Sequence, residues 1–83
     1  MPQFIDVHHG MKGVTREKLE EGHQQDLEVE SGEGVHFIKA WADPDSGTVF
    51  CLSEGPDKAS VQRVHAKAGH PTDEIYEVPI SVE

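Results

Sequence analysis

The sequence predicts an α+β domain of ferredoxin-like type, in the order strand, helix, strand, strand, helix, strand, with an antiparallel sheet and both helices on one face. Three observations predict it: short β-prone runs, two segments of helical spacing bounded by helix-start and helix-stop residues, and one turn-forming stretch that joins two strands directly. The 83 residues suit a single domain spanning residues 1–83.

Gln3 to His9 reads as the first strand, closed by Gly10 and Gly13, and its alternation is expected to send Ile5, Val7 and His9 to the helix-covered face. Thr15 is the expected N-cap of the first helix, with Val14 packing on Leu19. Leu19, Gly22 or His23, Asp26 or Leu27, and Glu30 carry the helical repeat until Ser31, Gly32 and Gly34 end it. Val35 to Ala42 and Thr48 to Ser53 form a hairpin around Asp43-Pro44-Asp45-Ser46-Gly47, a loop that ends in a left-handed glycine. Gly55 and Pro56 are expected to open the second helix, Val61, Val64, His65 and Ala68 share one of its faces, and Gly69 with Pro71 stops it. The last strand is expected from Glu74 to Val82, with Pro79 at a bulge or edge.

Helices on one face leave the other face of the sheet bare. Phe4, Phe37, Trp41, Phe50 and Leu52 are expected there, and an exposed apolar patch of that kind marks a partner surface. A homodimer formed by pairing two sheets face to face is the expectation.

Seven basic against sixteen acidic residues give a net charge of −9, which repels phosphate backbones and anionic lipid heads, so neither nucleic acid nor a membrane is an expected partner. One cysteine, Cys51, excludes an internal disulfide framework and a multi-thiolate cluster within one chain, and alternation places it under the helices as a small buried hydrophobe. With no signal-like or membrane-spanning run, the cytoplasm is the expected compartment.

Six histidines beside abundant carboxylates suit a borderline divalent ion of the group Zn, Ni, Cu and Co. The topology carries the end of the first strand and the end of the second helix to the same end of the sheet. His8, His9, His65 and His70 should therefore be neighbours, with Asp73 or Glu74 nearby as oxygen donors. A second group is expected on the first helix, where His23 and Asp26 stand three residues apart on one face. His36 belongs to the opposite end of the sheet, where Glu30 or a residue of a partner chain would have to complete a site. Plainer roles remain open: His65 as a hydrogen-bonded core residue, His70 as a helix-end cation, His23 and Asp26 as a solvated face.

The segments Phe4-Ile5-Asp6-Val7-His8, Val49-Phe50-Cys51-Leu52-Ser53-Glu54-Gly55-Pro56, Val64-His65-Ala66-Lys67-Ala68-Gly69-His70 and Ile75-Tyr76-Glu77-Val78 resemble those of a small bacterial family. That family was once grouped as a domain of unknown function and is now described as nickel-binding proteins. The resemblance covers nearly the whole chain. It implies a ferredoxin-like dimer that binds Ni2+ in sequestration or tolerance, with His8 and His65 at matching motif positions and His9, His23, His36 and His70 less typical.

The expected function is thus divalent-metal sequestration through His and carboxylate ligands in a homodimer, not an enzyme. The alternative is a small cofactor-free enzyme, of oxygenase or isomerase type, with Asp6, His8 and Trp41 lining a site on the open face. There is no glycine-rich phosphate loop, serine nucleophile elbow or metalloprotease motif to favour other chemistry.

Overall fold

The computed structural model describes residues Met1–Glu83. Its elements are β1 (Gln3–His8), α1 (Arg16–Val29), a 3-10 turn (Glu30–Glu33), β2 (His36–Asp43), β3 (Thr48–Glu54), α2 (Lys58–Lys67) and β4 (Glu74–Glu77). The strands form one antiparallel sheet in the order β2-β3-β1-β4, which is the ferredoxin-like arrangement. No helix is long and apolar enough to cross a membrane.

Local chemistry sets the boundaries. Thr15 caps α1 by accepting from the Lys18 N–H at 3.2 Å. Asp57, rather than the Gly55-Pro56 pair, caps α2, its Oδ1 accepting from the Ser60 N–H at 2.8 Å, so that helix starts later than the sequence suggests. An Asp carboxylate at the cap satisfies a free N–H that proline could only avoid. The hairpin turns on Gly47 at φ +73°, whose N–H donates to Asp43 O and whose carbonyl accepts from Met11 N–H. β4 ends at Glu77, short of the expected Val82, and only the Val78 N–H, donating to Gln3 O, prolongs the pairing.

The first strand faces opposite to the expectation. Phe4, Asp6 and His8 lie under the helices, in register with Ser53, Cys51 and Val49, whereas Ile5 and Val7 pair with Leu52 and Phe50 on the open face. β2 also changes parity at an irregularity between Phe37 and Lys39. Phe37 consequently enters the core while Ala40 and Ala42 take the helix side further along, and Trp41 turns outward opposite Phe50. One extra residue reverses every side chain that follows it.

The main core joins Phe4, Val35, Phe37, Val61 and Val64, with Leu27, Val29 and Ile75 packed against it; a smaller one joins Val14, Val49 and Cys51. Full burial of such a Val or Phe side chain contributes about 1.5 to 3 kcal/mol. The bare face keeps Trp41, Phe50 and Tyr76 exposed. Phe4 and Phe37 do not belong to it, because the sheet turns both inward.

Candidate metal centre

Alternation on β1 places Asp6 and His8 beneath the helices, and α2 lowers His65 onto them with no exposed surface. His65 Nε2 donates to Asp6 Oδ2 at 2.8 Å, while His65 Nδ1 lies 3.1 Å from Asp26 Oδ1 on α1. Gly69, at φ +89°, then reverses the chain: its own N–H donates to Ala66 O and the His70 N–H donates to His65 O. This closure of the helix end requires a left-handed residue. It folds His70 back against α1, where Nε2 meets Asp26 Oδ1 at 2.8 Å.

The result is a chain of side chains, His8, Asp6, His65, Asp26 and His70, drawn from β1, α1, α2 and the turn after α2. Asp26 is the only fully buried residue of α1, so its ion pairing with two histidines anchors the helix together with the half-buried Leu19, Leu27 and Val29. Phe37 packs its ring against His65, with centroids 4.8 Å apart, and seals the network from the core side.

Burial alone would push His65 toward the neutral form, yet the hydrogen bonds and charges of Asp26 and Asp6 outweigh it and raise the pKa to about 9. Burial likewise works to raise Asp6, but His65 and His8 hold its carboxyl below the ordinary value; Asp26 is lowered in the same way by His65 and His70. Two buried carboxylates and one imidazolium leave a negative charge that the remaining imidazoles or a bound cation must balance.

Three atoms in the network are left without a formed hydrogen bond, namely Asp6 Oδ1, His8 Nε2 and His65 Nδ1. Asp6 Oδ1 and His8 Nε2 lie 2.9 Å apart, too poorly aligned to bond, and both are buried. His8 Nδ1 is engaged elsewhere, 3.2 Å from the Pro71 carbonyl oxygen. Cys51 stands on the neighbouring strand in register with Asp6. In the metal-free protein it is a thiol, because burial first and the nearby Asp6 and Asp26 charges second raise its pKa.

A cavity of about 220 Å³ opens between α1 and the sheet, with His8, Cys51, His23, Asp26 and His70 in its wall.

Of the expected neighbours, His8, His65 and His70 do meet; His9 does not join them. Lying beyond β1 and exposed, it pairs with Glu74 Oε2 at 2.7 Å, and its own N–H donates to Asp73 Oδ2 at 2.7 Å. Asp73 and Glu74 are thus the oxygen donors near His9 alone. Asp26 turns inward to His65 and His70 instead of sharing an outer face with His23, which only borders the cavity. His36 pairs with Glu30, Nδ1 to Oε1 at 3.4 Å, at the far end of the sheet.

The alternative site on the open face is not assembled, since Asp6 and His8 lie on the side of the sheet opposite Trp41. Sequence reasoning missed Asp6 and Cys51 as members of the buried group. A charged residue in the middle of Phe-Ile-Asp-Val-His, two positions from a histidine and so on its face, was the signal for Asp6. Cys51 becomes relevant only when β3 pairs with β1.

A family model described as "Nickel responsive protein SCO4226-like" matches residues 4–78. Among solved structures, the crystal structure of SCO4226 from Streptomyces coelicolor A3(2) is 60% identical, with a TM-score of 0.95, over 96% of this chain and 99% of that one. No curated protein matches the chain. Matches of this extent in both sequence and backbone leave one assignment: the chain belongs to the SCO4226-like family of nickel responsive proteins.

Proposed function

We propose that the chain binds Ni2+ as cargo through exposed imidazole and carboxylate groups and acts as a sequestering homodimer, not as an enzyme. The observation that carries this reading is the pair at the end of β1. His9 Nε2 faces Glu74 Oε2 at 2.7 Å, both side chains are about half exposed at 54% and 41%, and the Asp73 carboxylate accepts from the His9 backbone N–H. One imidazole nitrogen and one carboxylate within reach of solvent are donors of the kind nickel accepts. His36 with Glu30 repeats the pairing at the other end of the sheet.

The net charge of −9 draws cations toward the molecule. Trp41, Phe50 and Tyr76 on the bare face supply the apolar surface for the dimer.

Calorimetric titration of nickel into the chelator-treated chain tests the reading. His9→Ala and Glu74→Gln should each remove one nickel equivalent per chain from the wild-type stoichiometry. Unchanged stoichiometry and affinity in both variants would reject this pair as a nickel site.

A further inference from the structure

We propose that Asp6, His8, Cys51 and His65 form a closed four-donor site for a resident divalent ion of the zinc class, separate from the exposed positions where nickel is taken up. Each of the four residues is more than nine-tenths buried, and one donor atom from each lies within 4.8 Å of the other three. A tetrahedral site with bonds of about 2.0 to 2.3 Å has donor-to-donor edges of roughly 3.3 to 3.8 Å. The Asp6–His65 and Asp6–His8 contacts, at 2.8 and 2.9 Å, need to widen by roughly half an ångström to an ångström and the longest gaps to close by about one. Side-chain rotation covers such shifts.

Two features distinguish this group from an ordinary polar core. Asp6 Oδ1 and His8 Nε2 are buried and lack formed hydrogen bonds although they lie 2.9 Å apart, and a cation between them would satisfy both. The imidazoles are also oriented from behind. His8 Nδ1 faces the Pro71 carbonyl at 3.2 Å and His65 Nδ1 faces the Asp26 carboxylate at 3.1 Å, so both Nε2 atoms converge on Asp6. Proteins hold metal-ligating histidines in this way, the second ring nitrogen being given to a carbonyl or a carboxylate.

The donors also select the ion. One sulfur, two imidazole nitrogens and one carboxylate oxygen, shut off from bulk water, suit a four-coordinate ion with no geometric preference of its own, which is zinc. Nickel favours planar or higher coordination and is matched less well. Binding releases the Cys51 thiol proton and the His65 Nε2 proton to solvent; the divalent ion supplies the charge that stabilises the resulting thiolate, and with the Asp6 carboxylate the three charges cancel. The cavity beside α1, with His8, His23, Cys51 and His70 in its wall, gives the ion a path inward.

Cobalt(II) reports on such a site because it takes zinc's place and is coloured. Added to the chelator-treated full chain, one equivalent should give intense visible bands of four-coordinate cobalt and a near-ultraviolet thiolate-to-cobalt charge-transfer band. One equivalent of Zn2+ should abolish both, whereas one equivalent of Ni2+ should not. Cys51→Ser should lose the charge-transfer band, and Asp26→Asn should weaken cobalt binding by about 10- to 100-fold. His9→Ala should keep both bands while it loses its nickel equivalent, which separates this proposal from the nickel reading. A wild-type spectrum of weak six-coordinate bands, or a charge-transfer band that survives in Cys51→Ser, would overturn the proposal. Should Cys51→Ser fail to fold by circular dichroism, the wild-type spectrum and its competition by zinc decide the matter.

Discussion

Asp6→Asn reports most directly on the buried network. The carboxylate has no exposed surface and lies 2.8 Å from His65 Nε2 and 2.9 Å from His8 Nε2. The amide keeps the shape and removes the charge, so the His65 imidazolium loses one of its two counter-ions inside the core. Removing one partner of a buried ion pair costs about 3 to 5 kcal/mol where the other charge is left unpaired; Asp26 remains 3.1 Å from His65, so the lower end, about 3 kcal/mol, applies. At roughly 0.05 to 0.15 kcal/mol per residue, a chain of 83 residues has a total stability of about 4 to 12 kcal/mol. The substitution therefore removes a quarter or more of the folding free energy. At about 4 °C or more per kcal/mol in a domain of this size, Tm should drop by at least about 12 °C.

Urea unfolding followed by circular dichroism, at neutral pH with chelator present, measures the loss. His65→Gln and the double variant complete a cycle in which the two substitutions together should be less damaging than their sum by at least about 1 kcal/mol. A loss below about 1 kcal/mol for Asp6→Asn, or simple additivity, would refute the claim that this pair is a coupled buried ion pair.

Three further predictions follow from the same geometry. In chelator-treated protein, the His65 pKa near 9 lies above the ordinary 6.5, so its contribution of roughly 3 kcal/mol is complete below pH 6.5 and is lost as the pH rises through 9. Asp6 and Asp26 sit below the ordinary 3.8, so their contribution is complete above that value and is lost as the pH falls through their lower folded values. The urea midpoint should thus hold between pH 4 and 6.5 and decline on both sides; a midpoint that climbs from pH 6.5 to 9 contradicts the assignment. Gly47→Ala forces a Cβ to within 2.5 Å of Lys12 N at a φ of +73°, and thermal denaturation should show a cost of at least about 1 to 3 kcal/mol. Phe50→Glu should give a folded monomer in size-exclusion chromatography with light scattering, and a persisting dimer would place the interface elsewhere.

Much of the fold was legible because helix caps, turn residues and periodicity each act locally. Thr15, the Asp43–Gly47 loop and Gly69 do what their chemistry requires. The facing of β1 was not legible, because Phe4, Ile5 and Val7 offer apolar residues at both parities and only the packed sheet decides between them. That single ambiguity exchanged His8 and His9 between core and solvent. The parity change in β2 was equally hidden, since nothing in Phe37-Ile38-Lys39 marks an irregular residue. Topology alone sufficed to bring His8 near His65 and His70, whereas the inward turn of Asp26 depends on how α1 rotates over the sheet, which its weak apolar stripe does not fix.

The irregular register in β2 also bears on how copies of the chain can meet. β2 and β4 are the rims of the sheet, with backbone groups free to recruit another strand. On one rim the break beside Ile38 and the charged Lys39 spoil a straight template; on the other, β4 is only four residues long and begins and ends with glutamate. Strand-by-strand growth into a ribbon is blocked at both borders. With growth at the edges discouraged, the open face around Trp41 and Phe50 is the surface left for another copy to meet.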